Sequence, residues 1–323
     1  MTNEKLIEEF LENKVELSPQ SIKMYRSGLN IFNNWVKENL DGKLFFDIKK
    51  KEFVKYLNWL TNRGLSEDTI KLKKTCVSSL CTYLEMMYED EYPTFHSFVT
   101  ADMKVVKTGH VHEKEPLTPD EIEYLCMELE KRGEWQKVAY VRFTYATGCR
   151  RGEVLQLKKE VVDYEPEEKE ITYTDQDGKE CTGIAKMYRT NKIRCKGASK
   201  VGKVRELKFD QKAMDAIKKW LEVRGEDDCP YLFVVKQKNS DVRPLTTGAI
   251  WAWCRREFTK IIGRRVHPHI FRESRATNLV VYEHRSSKVA QKLLGHESVD
   301  VTEKFYIINP SDNDESDEAF LVG

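Results

Sequence analysis

No apolar run in this chain approaches the roughly 20 residues needed to cross a bilayer. No C-x-x-C pair occurs, which leaves no zinc ribbon or dithiol redox motif, and no Gly-rich phosphate loop is present. The eight cysteines, at positions 76, 81, 126, 149, 181, 195, 229 and 254, are scattered. Thiols spread in this way through a chain of this size read as reduced, small hydrophobes of a cytosolic protein. The first ten residues, Met1 to Phe10, are acidic and amphipathic, unlike a signal peptide. These absences predict a cytoplasmic protein that spans no membrane and carries neither metal nor cofactor. Net charge is also missing, at +1, so whole-chain charge says nothing about partners and local asymmetry must be sought. The 323 residues suffice for two domains, each with its own core.

The first hundred residues carry helical periodicity throughout. Residues 4–14 are amphipathic. Ser18 is a natural N-cap with Pro19 at the first helical position, and Ile22, Tyr25, Leu29, Phe32 and Val36 follow at helical spacing. Asp47 is expected to open a third helix, with Phe53, Tyr56, Leu57 and Leu60 on its apolar face and Asn62-Arg63-Gly64 as its stop. Ser66 begins a fourth that runs to about Tyr88. Lysines crowd the faces expected to be exposed: Lys49, Lys50, Lys51, Lys55, Lys71, Lys73 and Lys74. Such a set is either an ordinary solvated surface or a face that neutralises phosphates. From residue 90 to 116 the periodicity fades, and a linker holding His110 and His112 is expected at 105–116.

A second domain begins at Thr118-Pro119-Asp120-Glu121, a capping box with proline in first position. Helices are expected over about 119–132 and from Trp135 to Ala146. Gly148 then breaks the chain, and a further helix starts around Glu153, Val154 and Leu157. Residues 170–174 and 182–189 alternate about an Asp177-Gly178 hairpin turn, and a third strand is expected from Val204 to Phe209. Between and along these strands the charge is nearly all of one sign: Lys186, Arg189, Lys192, Arg194, Lys196, Lys200, Lys203, Arg205 and Lys208 against Glu206. A run this dense repels itself unless something anionic lies against it, which points to nucleic acid. Helices are expected over 210–224, 246–262, 269–282 and 286–295, with a short strand at Tyr231 to Val235 and a short helix ending near Tyr306. The tail from Asn309 is acidic and ends in Ala319-Phe320-Leu321-Val322. It is either a solvated spacer or a segment that docks on a neighbouring subunit.

Three blocks of the second domain hold the residue types that metal-free phosphodiester cleavage requires: a nucleophile, cations for the non-bridging oxygens and a proton donor for the leaving oxygen. The first is Thr147-Gly148-Cys149-Arg150-Arg151-Gly152-Glu153. The second is His269-Ile270-Phe271-Arg272, whose end residues share a helix face. The third is Leu294-Gly295-His296, followed ten residues later by Tyr306. Arg150 and Arg272 are forked donors suited to bidentate phosphate contact. Each residue alone has an ordinary explanation; their order and spacing together do not.

In that order the blocks resemble the catalytic boxes of the tyrosine recombinase (phage integrase) family: T-G-x-R-x-x-E, a hairpin lysine near G-K-G matched by Cys195-Lys196-Gly197, H-x-L-R with Phe for Leu, and L-G-H with its tyrosine. The resemblance implies a mainly α (α+β) chain, with a four-helix SAM-like core-binding domain at 1–104 that clamps DNA. A linker at 105–116, a mixed helical catalytic domain with a small antiparallel sheet at 117–308 and an acidic tail at 309–323 complete it. It implies a site-specific recombinase in which Tyr306 attacks the scissile phosphate to give a 3′-phosphotyrosine. Arg150, Arg272 and His296 stabilise the transition state, Lys196 protonates the leaving 5′-oxygen, His269 assists proton transfer at Tyr306 and Glu153 supports Arg150. Double-stranded DNA is the implied partner, with Lys49, Lys50, Lys51, Lys71, Lys73, Lys74, Arg151, Lys192, Arg194, Lys200, Lys203 and Arg275 as candidate contacts. The implied assembly is a nucleoid-associated homo-oligomer, a tetramer on DNA with tails exchanged between protomers. Two other readings stay open: a DNA-binding regulator of the phage-repressor kind that keeps the fold without cutting, and a strand-relaxing topoisomerase. Glu273 follows Arg272 where the family usually has histidine. A carboxylate there weakens the local positive field unless it points away or pairs with Arg275.

Overall fold

The computed structural model describes residues 1–105, 115–174, 179–195, 203–236 and 241–295, and these form two compact units. The first unit is built from α1 (Asn3–Asn13), α2 (Pro19–Asn39), α3 (Lys50–Asn62) and α4 (Glu67–Met87). Ser18 and Ser66 cap α2 and α4 by accepting from the backbone N–H three residues on. The helices close around an aromatic core in which Phe32 packs edge-on to Tyr56, ring centroids 4.8 Å apart, with Phe45, Phe53 and Phe98 around it. Asp47 does not open α3. Phe45–Asp47 is a 3₁₀ turn that drives Phe45 and Ile48 into the core, and the helix starts at Lys50, where the Glu52 side chain accepts from the Lys49 N–H. Nor does the unit stop where periodicity fades: Phe95, Phe98, Val99 and Met103 are buried against the helices without forming one. The expected linker residues 106–114, with His110 and His112, lie outside the described residues.

The second unit begins with α5 (Pro119–Lys131), opened by the Thr118–Glu121 capping box, followed by α6 (Trp135–Thr147). The helix expected around Glu153 lasts one turn, α7 (Arg151–Val154), and a 3₁₀ turn follows at Lys159–Asp163. Strands β1 (Glu167–Thr174) and β2 (Glu180–Arg189) pair antiparallel from Glu167 opposite Met187 to Thr174 opposite Glu180. The expected third strand is two. β4 (Lys203–Arg205) pairs with β3 (Ile193–Cys195), a strand not among those expected, and β5 (Lys208–Phe209) pairs with β2. The break has a local cause: Thr190 and buried Leu207 exchange two hydrogen bonds of 2.9 Å, one through the Thr190 hydroxyl, and the chain bends there.

Helix α8 (Gln211–Arg224) lies along α6, and β6 (Val234–Val235) pairs with β7 (Arg243–Pro244). The helix expected over 246–262 is α9 (Thr247–Ala252), a π-helical turn at Trp253–Phe258 and α10 (Thr259–Ile262). There Thr259 Oγ1 donates to the Cys254 carbonyl, and it accepts from the Val266 N–H. Last come α11 (Ile270–Val281) and α12 (Ser287–Leu294). The core of this unit joins Tyr140, Phe143, Phe209, Phe233, Phe258 and Phe271. All eight cysteines are free thiols, seven of them buried. Among the described residues no helix is long and apolar enough to cross a membrane.

Candidate active site

The site grows from the turn between α6 and α7. Gly148 ends α6 in the left-handed region at φ +57°, and a Cβ there would lie 2.3 Å from Leu294 Cδ2. Only glycine meets both demands, positive φ and contact with α12. Two residues on, half-buried Arg150 caps α7. Its Nη1 donates to Glu153 Oε1 at 3.1 Å and its backbone N–H to Glu153 Oε2 at 3.0 Å. Arg150, Arg151 and Gly152 then line an open cleft with His267, Pro268 and His269.

Arg272 lies beneath this surface. It is fully buried in the first turn of α11, donating through Nη1 to the Gly148 carbonyl at 2.6 Å and through Nη2 to the Leu294 carbonyl at 2.9 Å. A single guanidinium thus ties the Thr147–Glu153 block to the end of α12, one residue before Gly295 and two before His296. His269 sits half-buried at the start of α11, its carbonyl accepting from the N–H groups of Arg272 and Glu273. The structure therefore brings Arg150, Glu153, His269 and Arg272 together. Lys196, Lys200, His296 and Tyr306, the Asp177-Gly178 turn and the acidic tail lie outside the described residues.

In the sequence Arg205 is one of a run of basic residues, yet it belongs here. On β4 it stands opposite buried Ile193 and so faces inward. Its Nη2 donates to Glu153 Oε2 at 2.8 Å and its Nη1 to the Leu293 carbonyl at 2.9 Å. Burial pushes the Glu153 carboxyl up, but the Arg205 charge leads the opposing causes and the result lies below the ordinary value. Burial likewise lowers Arg205, and Glu153 more than offsets it. The neighbouring Cys149 thiol is pushed up to about 12 by burial, which makes it an inert core group. No signal in the sequence separates Arg205 from its basic neighbours, because its direction depends on strand register.

A family model described as "Phage integrase family" matches residues 115–311, and one described as "Phage integrase, N-terminal SAM-like domain" matches residues 7–86. The chain belongs to the phage integrase family. It is 31% identical over 307 residues to the SPbeta prophage-derived recombinase-like protein YomM of Bacillus subtilis (strain 168), covering 93% of this chain and 86% of that one. Tyrosine recombinase XerC of Oceanobacillus iheyensis is 24% identical, over 91% of this chain and 88% of that one. Among solved structures, the Tn1549 transposon integrase in complex with transposon right end DNA shares the fold over 100% of both chains, at a TM-score of 0.64 and 15% identity. XerH site-specific recombinase bound to its palindromic difH substrate does so at 0.66 and 20%, over 93% of this chain and 79% of that one.

Within this integrase-family frame, Glu273 turns toward His267. It is buried, with Oε2 3.6 Å from His267 Nε2 at the cleft, while Arg275 bonds Glu283 and stacks its guanidinium 5.5 Å from the centre of the Tyr145 ring. Arg275 thus makes these two contacts within the unit, with 20% of its side chain exposed. Arg151, Lys192, Arg194 and Lys203 stand on the surface. In the first unit Lys49, Lys50, Lys51 and Lys71 are exposed, with Lys50 paired to Asp102 and Lys71 to Glu67. Lys74 donates to the Met103 carbonyl. Lys73 departs from the exposed-face expectation: it is 9% exposed, because that position of α4 turns toward α2.

Proposed function

We propose that this protein is a site-specific DNA recombinase that cuts and rejoins strands through a 3′-phosphotyrosine, with Tyr306 as nucleophile. The observation that carries the reading is the pair of hydrogen bonds from Arg272 to the Gly148 and Leu294 carbonyls, which gathers three sequence-distant motif blocks into one place. Family membership and relatives named as recombinases support it, and they do not favour a regulator without cleavage.

In the proposed reaction the Tyr306 phenolate attacks phosphorus as the bond to the 5′-oxygen breaks. His269 takes the phenol proton and Lys196 gives one to the leaving 5′-oxygen. Arg150, Arg272 and His296 neutralise the non-bridging oxygens, and Glu153 orients Arg150. One phosphoester replaces another, so rejoining needs neither ATP nor metal. Arg272 is buried and bonded to carbonyls, so in this reading its guanidinium holds the floor of the site and reaches phosphate only from beneath. The helical unit and the exposed lysines grip duplex DNA in the cytoplasm, and four protomers assemble on two sites.

The test is covalent trapping on a nicked duplex carrying the DNA that flanks the gene. The expected result is a protein–DNA adduct that disappears in Tyr306→Phe. Tight, sequence-specific binding with no adduct from the unaltered protein would overturn the cleavage reading in favour of the regulator.

A further inference from the structure

Glu153 is 2% exposed, and its carboxylate is shared between two guanidinium groups. Oε1 accepts from Arg150 at 3.1 Å, whereas Oε2 accepts from Arg205 at the shorter 2.8 Å. Were a buried carboxylate paired with Arg150 alone, it would cancel the charge Arg150 needs to hold a phosphate. With Arg205 present, the trio keeps one net positive charge. Of the two arginines, Arg150 is the more exposed, at 33% of its side chain against 18%, and it lines the cleft. The remaining end of Arg205 grips the last turn of α12 at Leu293. A Cβ on Gly295, the residue before His296, would lie 2.9 Å from Arg205 Nη1, so that corner of the chain is closed on the guanidinium.

We infer that Arg205, which lies outside the three motif blocks, is a positioning residue for strand cleavage. It carries the Glu153 carboxylate so that the Arg150 guanidinium is left for the scissile phosphate, and it holds the end of α12 from which His296 follows. The inference rests on the cleavage reading above.

Single-turnover cleavage of the nicked duplex tests it, with DNA affinity and melting temperature measured alongside. Arg205→Met is expected to slow cleavage by about 10²-fold, the scale of a displaced site group, with little change in affinity. Adding Glu153→Gln removes the orphaned carboxylate and should recover roughly tenfold of that rate, since Gln still accepts from Arg150. Arg205→Lys, which keeps the charge and the fold, should fall between wild type and Arg205→Met. Wild-type cleavage by Arg205→Met overturns the inference, as does a folded Glu153→Gln/Arg205→Met protein no faster than the single variant. Should Arg205→Met not fold, Arg205→Lys decides the matter against Arg205→Gln: equal rates overturn it. A wild-type protein that forms no adduct sinks the cleavage reading itself, a result distinct from these.

Discussion

Arg272 donates a 2.6 Å hydrogen bond to the carbonyl of Gly148, a residue 124 positions earlier in the chain. With its second bond to Leu294 it acts as an internal staple as well as a candidate phosphate ligand. Charged side chains are seldom fully buried, and this one is partnered by two backbone carbonyls.

The first expectation follows from those two carbonyls. Arg272→Ala should abolish the covalent adduct and also cost about 3 kcal/mol by orphaning buried acceptors, or roughly 6–12 °C in melting temperature. DNA binding measured well below that temperature should persist, because most affinity comes from spread Lys and Arg contacts. Binding lost in step with cleavage would contradict this.

Gly148 and Leu294 should be energetically coupled. Gly148→Ala forces a side chain into the left-handed region and onto Leu294 Cδ2, at a cost of about 2–5 kcal/mol. Leu294→Ala opens that space, so the double variant should lose less than the sum of the two, by about 1 kcal/mol or more in urea denaturation. Strict additivity would show that the two residues do not meet.

Glu153 sets an acid limb. Its carboxyl lies below the ordinary value of 4.5, so the native state binds fewer protons there than the unfolded chain. Its contribution is therefore present above that value and fades as pH falls through the depressed one. Glu153→Gln should be the less stable protein at neutral pH, and the gap should narrow below about pH 4.5. Parallel stability curves across that range would remove Glu153 as the cause.

The lysines of the first unit divide by burial. Replacing exposed Lys49 and Lys51 with alanine should weaken DNA binding and flatten the salt dependence by about 2 in log–log slope. Lys73→Met should leave the slope unchanged, since Lys73 is buried between helices. An equal effect from Lys73 would show that this face opens on DNA.

Helix starts were legible in the sequence because capping is local. Ser18, Ser66 and the Thr118–Glu121 box needed no information from outside their own turns. Asp47 misled because the chain spends that stretch burying Phe45 and Ile48, a tertiary demand that outbids a good cap. The long strand expected at Val204 to Phe209 broke for a similar reason, a Thr190–Leu207 exchange between segments that sequence alone could not register.

By itself the order of residues determined the helical first unit, the small sheet of the second and the identity of the motif blocks, since periodicity, caps and spacing are written along one dimension. Only the folded chain decided that Arg272 points inward to Gly148 and Leu294, that Glu273 turns to His267 and that Arg205 leaves the basic run to share Glu153. Those outcomes depend on which side of a helix or strand faces a partner far away in sequence, and that is settled by burial, register and the pairing of buried charge.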